Sequence, residues 1–397
     1  RFISILWFEG AVPNPENGNE SERAYEIMSI AAELGHKITL VIREKINVLL
    51  CNKKCRDRIA SLGVELIVEP WEEYVNKYID FFDVVHISKS ATFQATYEKW
   101  QEVYEKHSFA LIYDCETLWH ERDLKLLSLL ESNGIYNFPG GMERLGLVGS
   151  AMDMELVKLR VEGTKDLELN LIRMADSVLT VSYGDTEKIH KLLPETQIFT
   201  AGYIINVDES RIAKKTFHQR SGILFLASFD DTMYHNGDAI WYFLNEVYPL
   251  VMKESKSPIA LTIAGRNIPE ELYELVERNS SLKRNIIFRE SVVDIDELYN
   301  NARVFIAPNL YGAGVQYKVS EAFSRGIPAV MSTYTADSVG ISAKDAIGCI
   351  GRNSETLKKC IIDIYGDEET WDMMQQNGLK FIRKNHDRND ARVVLDR

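Results

Sequence analysis

The residues best spaced for chemistry lie in Asn309-Leu310-Tyr311-Gly312-Ala313-Gly314-Val315-Gln316-Tyr317-Lys318-Val319-Ser320-Glu321-Ala322-Phe323. Gly312 and Gly314 let the backbone turn sharply and let a ligand approach it closely. The turn feeds a helix expected to begin near Val315, with Val319, Ala322 and Phe323 on its inward face. Amides at a helix start and the positive end of the helix dipole together make an anion site, so Val315, Gln316 and Tyr317 are candidate binding residues beside the two glycines. Lys318 and Glu321 are three apart and share one face near that start. A lysine there meets a diphosphate, and a carboxylate accepts hydrogen bonds from sugar hydroxyls. On spacing alone, a surface ion pair accounts for both residues equally well.

A second group follows a short apolar run: Asp114-Cys115-Glu116-Thr117-Leu118-Trp119-His120-Glu121-Arg122. Asp114, Glu116 and His120 handle protons, Trp119 offers a stacking face for a pyranose, and Arg122 adds a cation. With His86 in His86-Ile87-Ser88-Lys89, this group falls beyond the carboxyl ends of strands, where α/β sheets bind ligands. A lone histidine such as His86 is usually structural, whereas His120 has polar neighbours that converge on it. Asp294-Ile295-Asp296 has the spacing of a metal-binding Asp-x-Asp but stands at an expected helix start, so capping explains both aspartates and no metal is expected. The five cysteines, Cys51, Cys55, Cys115, Cys349 and Cys360, are scattered, and no second pair joins Cys51 and Cys55 in a zinc site. Reduced thiols in a cytoplasmic protein are the expectation.

The run from Gly312 to Ala322, followed by Phe323-Ser324-Arg325-Gly326-Ile327-Pro328-Ala329-Val330, resembles the donor-site signature of GT-B glycosyltransferases, in the group 1, GT4-like branch. The resemblance implies that Glu321 binds the ribose of a sugar nucleotide. Many members carry a second glutamate eight positions earlier, where this chain has Ala313. Tyr113, Asp114, Thr117, Leu118 and Arg122 match a segment of one subgroup, with Glu116 at the place where many members have a histidine. Gly265-Arg266 is similar to the same subgroup, and Arg266 is the candidate to neutralise phosphate. The loop Ser228-Phe229-Asp230-Asp231-Thr232 lacks the arginine and lysine that many members place there, which leaves Lys318 and Arg266 as the cations. Ser291 and Val292 stand where the family contacts the base. Gly18 and Ser21 belong to the first loop, which in the family covers the donor phosphates.

These residues need a scaffold, and the pattern supplies one. Short apolar runs alternate with helical periodicities in both halves, the pattern of an α/β chain with two doubly wound, Rossmann-like domains. The GT-B resemblance implies that the domains face a cleft. An acceptor domain is expected over 1–205 and a sugar-nucleotide domain over 206–370. Over 371–397, C-terminal helices are expected to cross back toward the first domain. At 397 residues, 45% hydrophobic and 26% charged, the composition is that of a globular protein. A net charge of −13 gives nucleic-acid binding no electrostatic support, and no apolar run of about 18 residues exists to span a bilayer. The chain opens on Arg1 directly before a strand, without a signal peptide, which fits a piece of a longer polypeptide with other domains. Arg43, Lys45, Lys53, Lys54, Arg56 and Arg58 concentrate positive charge and suggest peripheral contact with the inner face of a membrane.

The resemblance implies a retaining, metal-independent hexosyltransferase in polysaccharide biosynthesis, with a nucleotide-diphosphate sugar as co-substrate and no other cofactor. Lys318 and Arg266 stand on the leaving diphosphate, and Glu116 and His120 are the other catalytic candidates. Asp114, Trp119, Arg122 and His86 line the acceptor side, which takes a glycan or lipid-linked glycan. Two alternatives are a sugar-nucleotide epimerase of the same fold and a non-catalytic glycan-binding or assembly domain.

Overall fold

The computed structural model describes residues 2–14, 19–43, 47, 49, 51–68, 70–105, 108–131, 154–205, 207–229, 234–290, 292, 294–312 and 314–396. Gly18, Ser291 and Ala313 lie outside these residues. Two parallel sheets are present. The first joins β1 (Ser4–Glu9), β2 (Lys37–Ile42), β3 (Glu65–Ile67), β4 (Val84–Ser88), β5 (Ala110–Glu116), β6 (Ser177–Thr180) and β7 (Ile198–Thr200) in the order β3-β2-β1-β4-β5-β6-β7. The second joins β8 (Ile223–Ser228), β9 (Leu261–Arg266), β10 (Ile286–Glu290), β11 (Val304–Ala307), β12 (Ala329–Ser332) and β13 (Gly348–Gly351) in the order β10-β9-β8-β11-β12-β13. The strand order reverses between β1 and β4 and again between β8 and β11, so each sheet is doubly wound, as expected.

Alternation along the strands explains the layers. In β8, Ile223 and Phe225 enter one apolar cluster and Leu224 the other; in β11, Val304 and Ile306 oppose Phe305 and Ala307 in the same way. β1 repeats the device, with Leu6 and Phe8 on one face and Ile5 and Trp7 on the other. A strand buried on both faces needs apolar residues at every position, which is why these segments read as continuous runs. Each fully buried phenylalanine here contributes about 1.5–3 kcal/mol.

The chain divides into two compact units: Arg1–His120, Glu162–Ile204 and His386–Arg397 form one, and Glu121–Val161 with Ile205–Asn385 the other. The expected crossing from residue 371 is therefore later. Trp371 is buried in the second unit, its Nε1 donating to the Arg303 carbonyl at 2.7 Å, and the whole helix Glu368–Asn385 stays there. In the first unit, Arg388 pairs with Glu26 at 3.1 Å and Glu33 at 2.7 Å. In the helix Met154–Met174, Leu159 is 61% exposed, while Leu171 and Ile172 are buried. Cys349 and Cys360 form a disulfide, contrary to the expectation of five thiols; β13 and the helix Ser354–Gly366 bring their Cα atoms to 5.5 Å, a proximity that a spacing of eleven does not reveal. No helix among the described residues is long and apolar enough to cross a membrane.

Candidate active site

In open α/β sheets a ligand crevice forms beyond the carboxyl ends of the strands where their order reverses. In the second sheet that point lies between β8, ending at Ser228, and β11, ending at Ala307. Asn309, wholly buried, follows β11, and the helix Tyr317–Ser324 begins after the glycine turn. It starts two residues later than expected, with Gln316 as its cap residue; the Gln316 amide donates to Ser338 Oγ at 3.3 Å. Gly314 has φ +63°, a conformation that favours glycine. A Cβ on Gly312 would lie 2.7 Å from Tyr334 Oη and 2.9 Å from Gln316 Nε2, so a side chain there would crowd the turn.

Lys318 and Glu321 are not paired with each other. Lys318 Nζ donates to Asn236 Oδ1 at 2.8 Å and lies 5.2 Å from the centre of the Phe225 ring. Burial without a carboxylate partner lowers its pKa to about 7. Glu321 points the other way: Tyr299 Oη donates to it at 3.5 Å, and Arg325 Nη2 stands 3.5 Å away. Burial raises the Glu321 pKa against the pull of Arg325 and Arg211. One helix turn thus presents a desolvated cation and a desolvated carboxylate in two different surroundings. Arg325 also holds Asp296 at 2.8 Å, and Asp294 caps the helix Ile295–Asn301 by accepting from the Asp296 amide at 3.0 Å, as expected of that pair.

Arg266 ends β9, paired in register with Ser228, and is exposed. The glycine before it is required by close approach: a Cβ on Gly265 would sit 1.8 Å from the Ala227 carbonyl oxygen. Val292 packs on the apolar cluster that contains Ala264 and Phe305.

In the first unit the strand-end residues are largely engaged with one another. Asp114, expected on the acceptor side, is 2% exposed and bound by Arg23 Nη1 at 2.7 Å, while Arg23 Nε donates to the Ala201 carbonyl at 2.8 Å. Burial works against the Arg23 charge, but Asp114 outweighs it and raises the pKa. His86 stacks on Trp7 at 3.6 Å, and burial pushes its pKa down to about 4, so the ring is neutral. His120 is fully buried, with Nδ1 2.5 Å from Glu168, whose carboxylate also accepts the amides of Trp119 and His120 at 2.8 and 3.2 Å. Glu168 therefore caps the helix Trp119–Glu131 and fixes His120 inside the fold, against its expected catalytic role. Glu116 is different: it has φ +50°, beside an irregularity in the β5–β6 pairing, and faces Lys89, φ +70°, at 3.6 Å. Two non-glycine residues in this region of φ, side by side at strand ends, mark a strained corner. Ser21 Oγ accepts from the Asn14 amide at 2.8 Å, inside a helix that begins at Asn19.

Arg122 lies over the Tyr234 ring at 4.7 Å, and Lys125 over Tyr334 at 4.3 Å, both belonging to the second unit. The sequence reading missed the segment that meets Arg122, Tyr234-His235-Asn236-Gly237-Asp238. Asn236 Nδ2 donates to the Ser228 carbonyl at 2.9 Å, Asn309 Nδ2 donates to Asn236 Oδ1 at 3.2 Å, and the Tyr311 hydroxyl donates to Asp238. The available signal was polar residues opening an otherwise apolar helix. That helix, Tyr234–Tyr242, continues through a wide π turn, Phe243–Val247, into Tyr248–Glu254. Pro249 accounts for the widening, because it has no N–H to give the preceding turn and its ring crowds a regular one.

Residues 220–367 match the family described as Glycosyl transferases group 1. Over 151 residues the chain is 30% identical to an uncharacterized 44.6 kDa protein in the cps region of Klebsiella pneumoniae; this spans 37% of the chain and 38% of that relative. Among solved structures, sucrose-phosphate synthase from Thermosynechococcus elongatus superposes with a TM-score of 0.65 at 13% identity, covering 99% of this chain and 97% of that one. Anabaena HepE, solved with UDP-glucose, gives 0.65 at 10% identity, covering 99% and 98%. The chain thus has the GT-B fold of these structures, and its residues 220–367 resemble the group 1 glycosyl transferases.

Proposed function

We propose that the chain transfers a sugar, with retention, from a nucleotide-diphosphate sugar to a glycan or lipid-linked acceptor during synthesis of a surface polysaccharide. The observation that carries this reading is the placement of Lys318 and Glu321 on one helix after the Gly312–Gly314 turn, at the switch point of the second sheet and inside the segment that matches the family. Breaking the bond between the anomeric carbon and the diphosphate oxygen leaves negative charge on the diphosphate. Lys318 stabilises that charge, and a fixed group aimed at developing charge is where such catalysis gains most. Glu321 takes the ribose hydroxyls, Val292 lies against the base, and Arg266 adds charge at the end of β9. On the acceptor side, Glu116 with Lys89 is the group whose strained backbone points to use.

The test is calorimetry against a panel of nucleoside diphosphates, followed by turnover of the matching sugar nucleotide with and without glycan acceptors. Transfer to an acceptor supports the reading. A new sugar nucleotide formed without acceptor indicates an epimerase, and glycan binding with no sugar nucleotide consumed indicates a binding domain. The proposed reaction uses no metal or further cofactor, so EDTA-dialysed protein should keep its rate. Contact with the cytoplasmic face of an anionic membrane belongs to the same proposal, although Arg58 is already held by Glu22 at 2.8 Å and stacked on Tyr25. Equal sedimentation with neutral and anionic vesicles would remove that part.

A further inference from the structure

We infer that Asn236 is the positioning residue for Lys318, and that its being an amide rather than a carboxylate leaves the lysine's charge available to a bound diphosphate. The inference rests on the proposed function only in naming the diphosphate; the contact itself stands on the fold. Lys318 and Asn236 are 82 residues apart and meet at 2.8 Å. The amide cannot turn over. Its Nδ2 donates to the Ser228 carbonyl at 2.9 Å, an acceptor that only the NH₂ end satisfies, so Oδ1 must face Lys318. Asn309 Nδ2 donates to the same oxygen at 3.2 Å and to the His235 carbonyl at 3.3 Å, joining the end of β11 to the start of the helix.

An aspartate in this place would pair with Lys318 and spend its charge inside the protein. A neutral acceptor holds the ammonium in position and leaves its net charge uncompensated. The other titratable groups fit that arrangement. His235 is buried, and burial with Lys318 and Arg122 nearby lowers its pKa to about 3, so it brings no competing charge. Asp238 is engaged by Tyr311, and Glu321 faces Tyr299 and Arg325.

The experiment reads Lys318 without any ligand. In the full chain, the rate of acetylation at Lys318 is followed against pH by peptide mass spectrometry, for the wild type and for Asn236→Asp. Affinity for inorganic pyrophosphate is then measured for wild type, Asn236→Asp, Asn236→Ala, Lys318→Ala and the double variant Lys318→Ala/Asn236→Ala, with thermal melts confirming that each is folded. The wild-type titration is expected near 7. Asn236→Asp should move it up by about 1–3 pH units while pyrophosphate affinity falls, opposite movements that general loosening does not produce. Asn236→Ala should weaken pyrophosphate about tenfold, and it should cost nothing further once Lys318 is gone. An unshifted titration in Asn236→Asp, or a full additional loss in the double variant, overturns the inference. If the wild type binds no pyrophosphate and no nucleoside diphosphate, the proposed function falls, while the acetylation profile still decides whether Asn236 holds Lys318.

Discussion

At the scale of the residue, the proposed function assigns Lys318 and Glu321 to different parts of one ligand, so their losses should differ in kind. Lys318→Ala removes the cation from the leaving diphosphate and should lower the single-turnover rate by about 10²-fold or more. Glu321→Gln weakens the acceptor of the ribose hydroxyls and should weaken nucleotide binding by about 1.5–3 kcal/mol, visible by calorimetry with the free diphosphate. Unchanged affinity and rate in both variants would remove the donor site from this helix. The lowered Lys318 pKa gives a pH dependence of definite sign. The protonated form holds the anion and is lost above about 7, so diphosphate affinity should fall between pH 6 and 8. Lys318→Arg, which keeps its charge over that range, should flatten the profile. Lys318 and Glu321 could be singled out from the sequence because both sit within one short motif. Asn236 and Asn309 were not, because their roles arise from contacts between segments more than 70 residues apart. His120 shows the reverse: polar neighbours within its own segment suggested a site, whereas the partner it meets, Glu168, comes from a distant helix and holds it inside the fold.

At the scale of the element, the strands were readable because burial on both faces leaves continuous apolar runs. β13 was not read, since Gly348-Cys349-Ile350-Gly351 is short and glycine-bounded. Gly265 shows what the sheet requires locally. Gly265→Ala would drive a Cβ to 1.8 Å from the Ala227 carbonyl and must separate β8 from β9. It should cost at least about 1–3 kcal/mol in urea unfolding and should also weaken diphosphate binding, because Arg266 and Ser228 are carried on those two strand ends. Full stability in this variant would contradict the close packing of Gly265 on Ala227.

At the scale of the whole molecule, two doubly wound sheets were foreseeable from the alternation of patterns, but the path of the chain between the units was not. Glu121–Val161 interrupts the sequence of the first unit yet belongs to the second, where Leu126 packs with Tyr234 and Tyr311. A fragment spanning 205–385 therefore leaves those two tyrosines uncovered beside the candidate donor turn. It should express less soluble material and bind diphosphate more weakly than the full chain. Supplying 121–161 through a linker should recover binding, and a 205–385 fragment with full affinity would show that the inserted segment is dispensable. No periodicity announces such an exchange, because it depends on which unit's surface a helix completes.

The wide turn at Phe243–Val247 fixes the length of this helix. An α-helix advances about 100° per residue, so the extra residue sets the angle between the stretch bearing Asn236 and the stretch bearing Tyr248 and Val251. Deleting the exposed Glu246 would remove the extra residue and with it that phase. Either Asn236 swings away from Lys318, or Tyr248 and Val251, both wholly buried, leave the core. The wide turn thus acts as a phase setter, and a one-residue change in length there would be felt at the lysine more than any substitution on the exposed side of the same helix.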